Sequence, residues 1–90
     1  MSDRSLQVTY RKGRPLAAYL YLSGKTGTKS ARSEASSDGL LVVDYAPDGR
    51  PIGVEITAPE AVTLDRINAL LGQLGQAPLP EREFKPLTAA

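Results

Sequence analysis

The sequence predicts a single α+β domain, in which a small antiparallel sheet of four to five strands carries one C-terminal helix packed on one face. Two observations predict this class. Between residues 6 and 57, apolar and polar side chains alternate in short stretches separated by Gly, Pro and Asp, as strands and turns do. From residue 63 onwards, Leu and Ile recur at helical spacing instead. Ninety residues are enough for one domain with a thin core.

The clearest element is a predicted β-hairpin between residues 38 and 57. Its first strand, residues 40–45, is a run of apolar and β-branched side chains followed by Pro47-Asp48-Gly49. Proline presets φ at the first corner of a turn, and glycine can take the positive φ of the exit. Residues 51–57 then alternate, with Ile and Val on one face. The first strand is apolar on nearly both faces, so we expect it in the middle of the sheet.

Three further strands are predicted before this hairpin. Residues 6–11 and 16–23 alternate and are joined by a turn at residues 12–15. The second of these strands has one apolar face and one aromatic face, formed respectively by Leu16, Ala18, Leu20 and Leu22 and by Tyr19 and Tyr21. Residues 29–36 are small and polar, which predicts a thinly packed edge strand protected by its charges.

The C-terminal third predicts one helix and a tail. Thr63 can cap the helix, and Asp65 suits the positive end of its dipole. The apolar stripe of the helix consists of Leu64, Ile67, Leu70, Leu71 and Leu74. A helix of about three turns is marginal alone in water, so this stripe should lie on the sheet or on a second copy. With three prolines from Pro78 onwards, residues 78–90 are predicted to be an extended or disordered tail, and residues 1–77 the domain.

Composition excludes several functional classes. The chain has neither cysteine nor histidine, so it lacks disulfides, thiolates, the usual general base and the commonest zinc ligand. Gly24-Lys25-Thr26 lacks the earlier glycine of a phosphate-binding loop, because position 19 is tyrosine. We therefore expect no enzyme activity, no cofactor and no metal. Without a long apolar run or a signal-peptide core, we expect a cytoplasmic protein that does not contact the membrane.

Charge is distributed unevenly along the chain. Residues 1–32 carry seven basic and one acidic side chain, whereas residues 33–90 carry four basic and nine acidic side chains. One interpretation is that strands from both parts interleave and the charges mix on the surface. A second is a basic face that binds nucleic acid or an acidic partner, although no aromatic residues are interleaved for base stacking. A third is charge pairing across a self-association interface.

Two carboxylates and four tyrosines are the candidate polar site. Asp44 and Glu55 lie in otherwise apolar strands, and on a shared face they could form an acid pair or hold a cation. The favoured structural interpretation is that one of them accepts a hydrogen bond from a neighbouring tyrosine or arginine and fixes the register of the sheet. The tyrosines, Tyr10, Tyr19, Tyr21 and Tyr45, could line a groove, but their amphipathic rings more often cover a sheet face or a dimer seam.

The order of these segments resembles a family of small bacterial proteins catalogued as domain of unknown function 2283. The resemblance rests on YLYLS, a Ser/Thr-rich strand and SSDGLLVVDYAPDGRPIGVEI, and it spans residues 6–61. The chain departs from the family at residues 13–18, where the family has an acidic lead, and at Ala46-Pro47-Asp48, where its loop is more acidic. The resemblance implies a small antiparallel sheet with a helix and no demonstrated activity. Proximity of the family's genes to small toxin-like genes suggests an antitoxin-like role.

The sequence as a whole predicts a non-enzymatic interaction module. The sheet face carrying Tyr19, Tyr21, Leu40 and Val42 has no second helix to cover it, and uncovered apolar faces usually mark interaction sites. We expect a homodimer formed through this face or through the helix stripe, with an interface of Tyr19, Tyr21, Val42 and Ile67. A small toxin-like protein is a second candidate partner. The alternative function is a nucleic-acid-binding regulator that uses the basic N-terminal part.

Overall fold

A computed structural model describes residues 4–22 and 29–88 of the chain. The predicted loop at residues 24–28 and the predicted end of the second strand at Ser23 lie outside the described residues. The elements in chain order are β1 (Ser5–Arg11), β2 (Arg14–Tyr21), β3 (Arg32–Ala35), β4 (Leu41–Tyr45), β5 (Pro51–Ile56), a 3₁₀ turn (Pro59–Ala61), α1 (Leu64–Gln73) and α2 (Glu81–Thr88). The α+β class and the antiparallel sheet are confirmed, and five strands are present in the described chain.

The five strands form one antiparallel sheet in the order β1-β2-β5-β4-β3. The predicted β4–β5 hairpin is present and closes with a hydrogen bond from the Ala46 amide to the Arg50 carbonyl at 2.8 Å. Gly49 has φ of 88°, as its place in the turn requires. The hairpin lies inside the sheet, and the exposed β3 forms one edge, as the sequence predicts.

One face of the sheet, called the inner face below, carries the core. Val54 of the central β5 lies opposite Leu20 of β2 and Val43 of β4, and all three side chains are buried. The two helices and the segment between them contribute further buried side chains to the same cluster, namely Ile67, Leu71, Leu79, Phe84 and Leu87. Thr63 caps α1 by accepting a hydrogen bond from the Arg66 amide at 3.1 Å.

The predicted alternation of β2 is wrong at its first residue. Thr9 lies opposite Ala17 while Tyr10 lies opposite Pro15, so Leu16 is an extra residue that forms a β-bulge. The bulge shifts the phase of the strand: Pro15 is buried, and Leu16 is 51% exposed. Leu16 therefore does not join Ala18, Leu20 and Leu22 on the inner face.

The predicted extended tail contains a second helix, and the expectation of a single helix is wrong. Pro80 precedes α2, and its carbonyl accepts the amides of Glu83 and Phe84 at 3.0 and 3.2 Å. The segment before it is fixed by Asn68 of α1, whose side-chain amide exchanges two hydrogen bonds, at 2.7 and 3.3 Å, with the Leu79 backbone. The folded unit therefore continues beyond residue 78, because α2 supplies part of the core.

Candidate interaction face

The second face of the sheet, called the outer face below, is defined by the strand residues that alternate with the core. Side chains on directly paired residues share a face, so the register assigns its members. They are Ser5, Gln7, Thr9 and Arg11 on β1, Arg14, Ala17, Tyr19 and Tyr21 on β2, Gly53 and Glu55 on β5, Val42 and Asp44 on β4, and Ser33 and Ala35 on β3. The buried side chains of α1 and α2 join the inner face, so neither described helix covers the outer face.

The centre of the outer face is organised by Tyr19 and Gly53. These residues occupy neighbouring strands, and the phenol of Tyr19 lies directly over the Gly53 backbone. A Cβ atom at position 53 would collide with the Tyr19 ring. Glycine weakens a strand interior because it has no side chain to pack, and an aromatic ring from the next strand compensates. Gly53 is buried as a result.

Beyond Gly53, the Tyr19 hydroxyl reaches Asp44 on the next strand. It donates a hydrogen bond of 2.8 Å to Asp44 Oδ2, and the Ser33 hydroxyl donates one of 2.5 Å to Asp44 Oδ1. The carboxylate thus joins β2, β4 and β3 across the outer face. Partial burial, and then the hydrogen bond to Asp44 and the negative charge of its carboxylate, raise the pKa of the Tyr19 hydroxyl well above its ordinary range. Tyr19 is therefore a neutral hydrogen-bond donor near neutral pH.

Tyr21 and Val42 complete the apolar part of this surface. The Tyr19 and Tyr21 rings meet edge to face, with centroids 4.7 Å apart and an interplanar angle of 63°. Glu55 lies between Tyr19 and Val42, directly opposite both in the register, and it is exposed. The outer face is therefore a half-exposed aromatic and aliphatic patch with one exposed carboxylate at its centre.

The structure separates the four predicted interface residues into two groups. Tyr19, Tyr21 and Val42 lie together on the outer face and are half-buried. Ile67 is 1% exposed and packs in the chain's own core beside Leu71. Its prediction as an interface residue is wrong, because the stripe of α1 is already covered within the chain. Ile67 therefore has no exposed surface to contribute to a dimer formed through the helix stripe.

Asp44 and Glu55 share the outer face, but they do not form an acid pair. Asp44 lies opposite Gly53, and Glu55 lies opposite Val42, two residues farther along the strands. Asp44 is occupied by Tyr19 and Ser33, as the structural interpretation of the sequence expects. Within residues 4–22 and 29–88, no group of three His, Cys, Asp or Glu side chains is placed to hold a metal ion.

The four tyrosines do not line one groove. Tyr10 is half-exposed on the inner side of β1, where its hydroxyl donates a hydrogen bond of 3.2 Å to the Pro86 carbonyl of α2. Tyr45 packs against the core at the other edge, with the Arg32 guanidinium 4.1 Å above its ring. Tyr19 and Tyr21 are thus the two tyrosines that belong to the outer face.

The basic residues of the N-terminal part do not form a single surface. Arg11, Lys12 and Arg14 lie at the tip of the β1–β2 hairpin, whereas Arg32 lies on β3. β1 and β3 are opposite edges of the sheet, about 19 Å apart at four strand spacings. Arg4 binds the Ala77 and Pro78 carbonyls before α2. The interpretation in which strands from both parts of the chain interleave is wrong, because β1 and β2 lie side by side and β5, β4 and β3 form the rest of the sheet.

The sequence interpretation missed Gly53 and Ser33 as parts of the outer face. A glycine inside a strand of alternating Ile and Val is itself a signal, because it marks a place where another group approaches the backbone closely. Ser33 carries no comparable signal, since its contact with Asp44 depends on the register of β3 against β4.

Comparison of the chain with protein-family models found no matching family, and comparisons with curated proteins and with solved structures found no match either. None of the described helices is both long and apolar enough to cross a membrane.

Proposed function

We propose that this protein is a non-enzymatic interaction module that associates with itself through the outer face. The supporting observation is that the touching rings of Tyr19 and Tyr21, with Val42 across Glu55 from Tyr19, form a half-buried patch on the side of the sheet without a described helix. Aromatic residues are enriched in interface cores, since they bury a large area and keep a polar tip. Tyr19 is also held in one orientation by Asp44, so its contact surface is organised before binding.

Charge favours a second copy as the occupant. Glu55 lies in the middle of the patch, and burying its carboxylate without a cation would be costly. Arg11 belongs to the same face at the end of β1, and an isologous contact places each surface against its own copy. Arg11 of one chain can therefore pair with Glu55 of the other, twice across the two-fold axis.

The size of the outer face limits the strength of this contact. Five strands at about 4.8 Å spacing and roughly 20 Å of strand length give a flat area of about 480 Å². Stable specific interfaces bury about 800 Å² per partner. We therefore expect an association of moderate affinity unless another contact adds to it.

The experiment is to measure the native mass of Val42→Glu and of the wild type by light scattering after size exclusion. A glutamate at position 42 places a second carboxylate beside Glu55 in the buried part of the interface, so the native mass should fall. Ala69→Glu is the matched control, because Ala69 is exposed on α1 and outside the outer face. An unchanged mass for Val42→Glu, with an intact circular dichroism spectrum, would contradict the proposal.

Isolation of the protein from its own cells separates self-association from a hetero-partner. A homo-oligomer supports the proposal, whereas a stoichiometric small toxin-like protein would indicate an antitoxin-like role on the same face. A steep loss of DNA affinity with salt would indicate nucleic-acid binding, since counterion release sets that slope. Arg32 lies on the edge opposite Arg11, Lys12 and Arg14, which disfavours one continuous basic surface for this last function.

A further inference from the structure

Among the described strands, β3 forms an edge with a defined pattern of outward backbone groups. It pairs with β4 and with no other strand of residues 4–22 and 29–88, and all four of its residues are exposed. Ser36 follows β3 in the same register opposite Leu41, and its amide donates a hydrogen bond of 2.8 Å to the Leu41 carbonyl. Hydrogen-bonded and non-hydrogen-bonded pairs alternate in antiparallel sheets. The amides and carbonyls of Ser33 and Ala35 therefore point away from β4, toward the open edge.

The side chains of β3 add a charge pattern to this edge. Arg32 and Glu34 lie two residues apart on the inner face, where they form an exposed ion pair of 2.9 Å. Charges of one sign would repel a second edge, which is how many edge strands are protected. β3 carries one charge of each sign on the same face, so an antiparallel copy can present the opposite charge at each position.

We propose that β3 pairs antiparallel with β3 of a second copy across a two-fold axis at Ser33, forming a continuous ten-stranded sheet. In this register the two Ser33 residues form a hydrogen-bonded pair through their outward amides and carbonyls. Arg32 then lies opposite Glu34 of the second copy, and Glu34 opposite Arg32 of the second copy. These are non-hydrogen-bonded pairs, in which cross-strand side chains approach most closely.

Neighbouring two-fold registers are disfavoured by charge. A two-fold axis at Glu34 would place the two Glu34 side chains opposite each other, and an axis at Arg32 would do the same to the two arginines. Like charges directly opposite are destabilising. Side-chain charge therefore selects the axis at Ser33 among the registers that the outward backbone groups allow.

The opposite edge of the sheet lacks this self-complementarity. β1 contains no acidic residue between Ser5 and Arg11, so two copies of β1 could form no cross-strand ion pair. The β3 contact is distinct from the outer face, and it rests on the proposed function only in assuming that the protein self-associates. It also adds buried area to the association, because the outer face alone is smaller than a stable specific interface.

The first test measures edge pairing in the Val42→Glu background, where association through the outer face is weakened. With both contacts present the wild type should be larger than a dimer, and Val42→Glu should have the lower native mass of a dimer held by β3 alone. Adding Arg32→Glu should weaken this dimer about tenfold or more, because both cross-strand pairs become repulsive. Adding Arg32→Glu and Glu34→Arg together should restore it, since the exchanged charges are complementary again.

The second test uses the absence of cysteine from the chain. With Ser33→Cys, the two introduced thiols would lie on residues whose Cα atoms are about 5.5 Å apart, a separation that a disulfide spans. Ala35→Cys on the same strand is one control, because the two thiols would be too far apart in the proposed register. Thr9→Cys is the second control and measures the rate of random encounters at the β1 edge. Faster crosslinking of Ser33→Cys than of both controls supports the proposal, and equal rates overturn it.

The outcomes distinguish this inference from the sheet-face proposal. If Val42→Glu is monomeric while the wild type is dimeric, the edge pairing is wrong and the sheet-face proposal stands. If Val42→Glu keeps the wild-type mass and Arg32→Glu lowers it, the sheet-face proposal is wrong and the edge pairing stands. A wild type that is monomeric at high concentration overturns both self-association proposals. This holds even if the edge of β3 binds a peptide from another protein.

Discussion

The ring of Tyr19 lies across the backbone of Gly53, so the side chain on β2 occupies the space that a side chain on β5 would otherwise fill. This relationship explains why a glycine is tolerated in a central strand. It also directs the Tyr19 hydroxyl past β5 to Asp44 on β4. The shape of the outer face thus depends on the absence of a single Cβ atom.

Replacing Gly53 with alanine should destabilise the protein by about 1–3 kcal/mol, because the new methyl group displaces the Tyr19 ring. Urea unfolding measures this change. Gly72→Ala is the control of opposite sign, since nothing lies within 4 Å of a Cβ at this position in α1. Higher helix propensity should make that variant about 0.5–1 kcal/mol more stable. Gly53→Ala with wild-type stability would show that the ring does not need this space.

Tyr19 should remain protonated in alkaline solution. Its pKa is raised by burial and by Asp44, so the folded state favours the neutral phenol. The associated stabilisation is complete below about pH 10, the ordinary value of the unfolded chain, and is lost as the pH rises above it. Phenolate absorbance of the folded wild type should therefore reveal a late-titrating tyrosine that Tyr19→Phe lacks.

Tyr21→Phe is the control for this titration, because it removes the neighbouring tyrosine and keeps the Tyr19–Asp44 hydrogen bond. The late-titrating tyrosine should persist in that variant. If it disappears from Tyr21→Phe and persists in Tyr19→Phe, the assignment of the raised pKa to Tyr19 is incorrect.

Asp38, in the turn between β3 and β4, should titrate at unusually low pH. Its carboxylate accepts hydrogen bonds from the Ser36 hydroxyl and the Leu40 amide, and Arg66 of α1 lies 3.3 Å away. The Ser36 hydrogen bond leads these contacts in lowering the Asp38 pKa to about 2. The stabilisation is therefore present above about pH 4 and is lost as the pH falls toward 2.

Carbon NMR of the Asp38 carboxyl group tests this prediction directly. Ser36→Ala should raise its pKa more than Arg66→Gln does, because the Ser36 hydrogen bond is the largest single cause of the low pKa. Added salt should reduce the effect of Arg66, which is an exposed charge. A larger shift in Arg66→Gln would show that the ion pair, and not the turn, governs this carboxylate.

The parts of the fold that follow from local patterns were predictable. The β4–β5 hairpin follows from its turn residues, and α1 follows from Thr63 and a Leu/Ile stripe at helical spacing. The bulge at Leu16 was not predictable, since Leu16 continues the apolar alternation and only the register against β1 excludes it. Tyr19, Tyr21 and Val42 were placed correctly on one face because period-2 alternation decides that directly. Leu40, predicted for the same face, packs against the core instead.

α2 was not predicted from the sequence, because the three prolines of residues 78–90 indicated an extended tail and the apolar spacing in this segment is short. Pro80 lies just before α2, where a missing amide costs nothing, and Pro86 lies in its last turn. Phe84 and Leu87 are three residues apart and so share one face of a helix. In a segment of eight residues this spacing alone does not predict a helix, because so short a helix depends on packing against the sheet.

α2 should stabilise the protein through its buried side chains. Leu87 is 1% exposed in the core, so Leu87→Ala should lower the free energy of unfolding by about 2–4 kcal/mol. Arg82→Ala, on the exposed side of the same helix, should change it by less than about 0.5 kcal/mol. Removing residues 78–90 should cost more than Leu87→Ala, because Leu79 and Phe84 leave the core as well. A truncated chain as stable as the full chain in urea would mean that the core closes without α2.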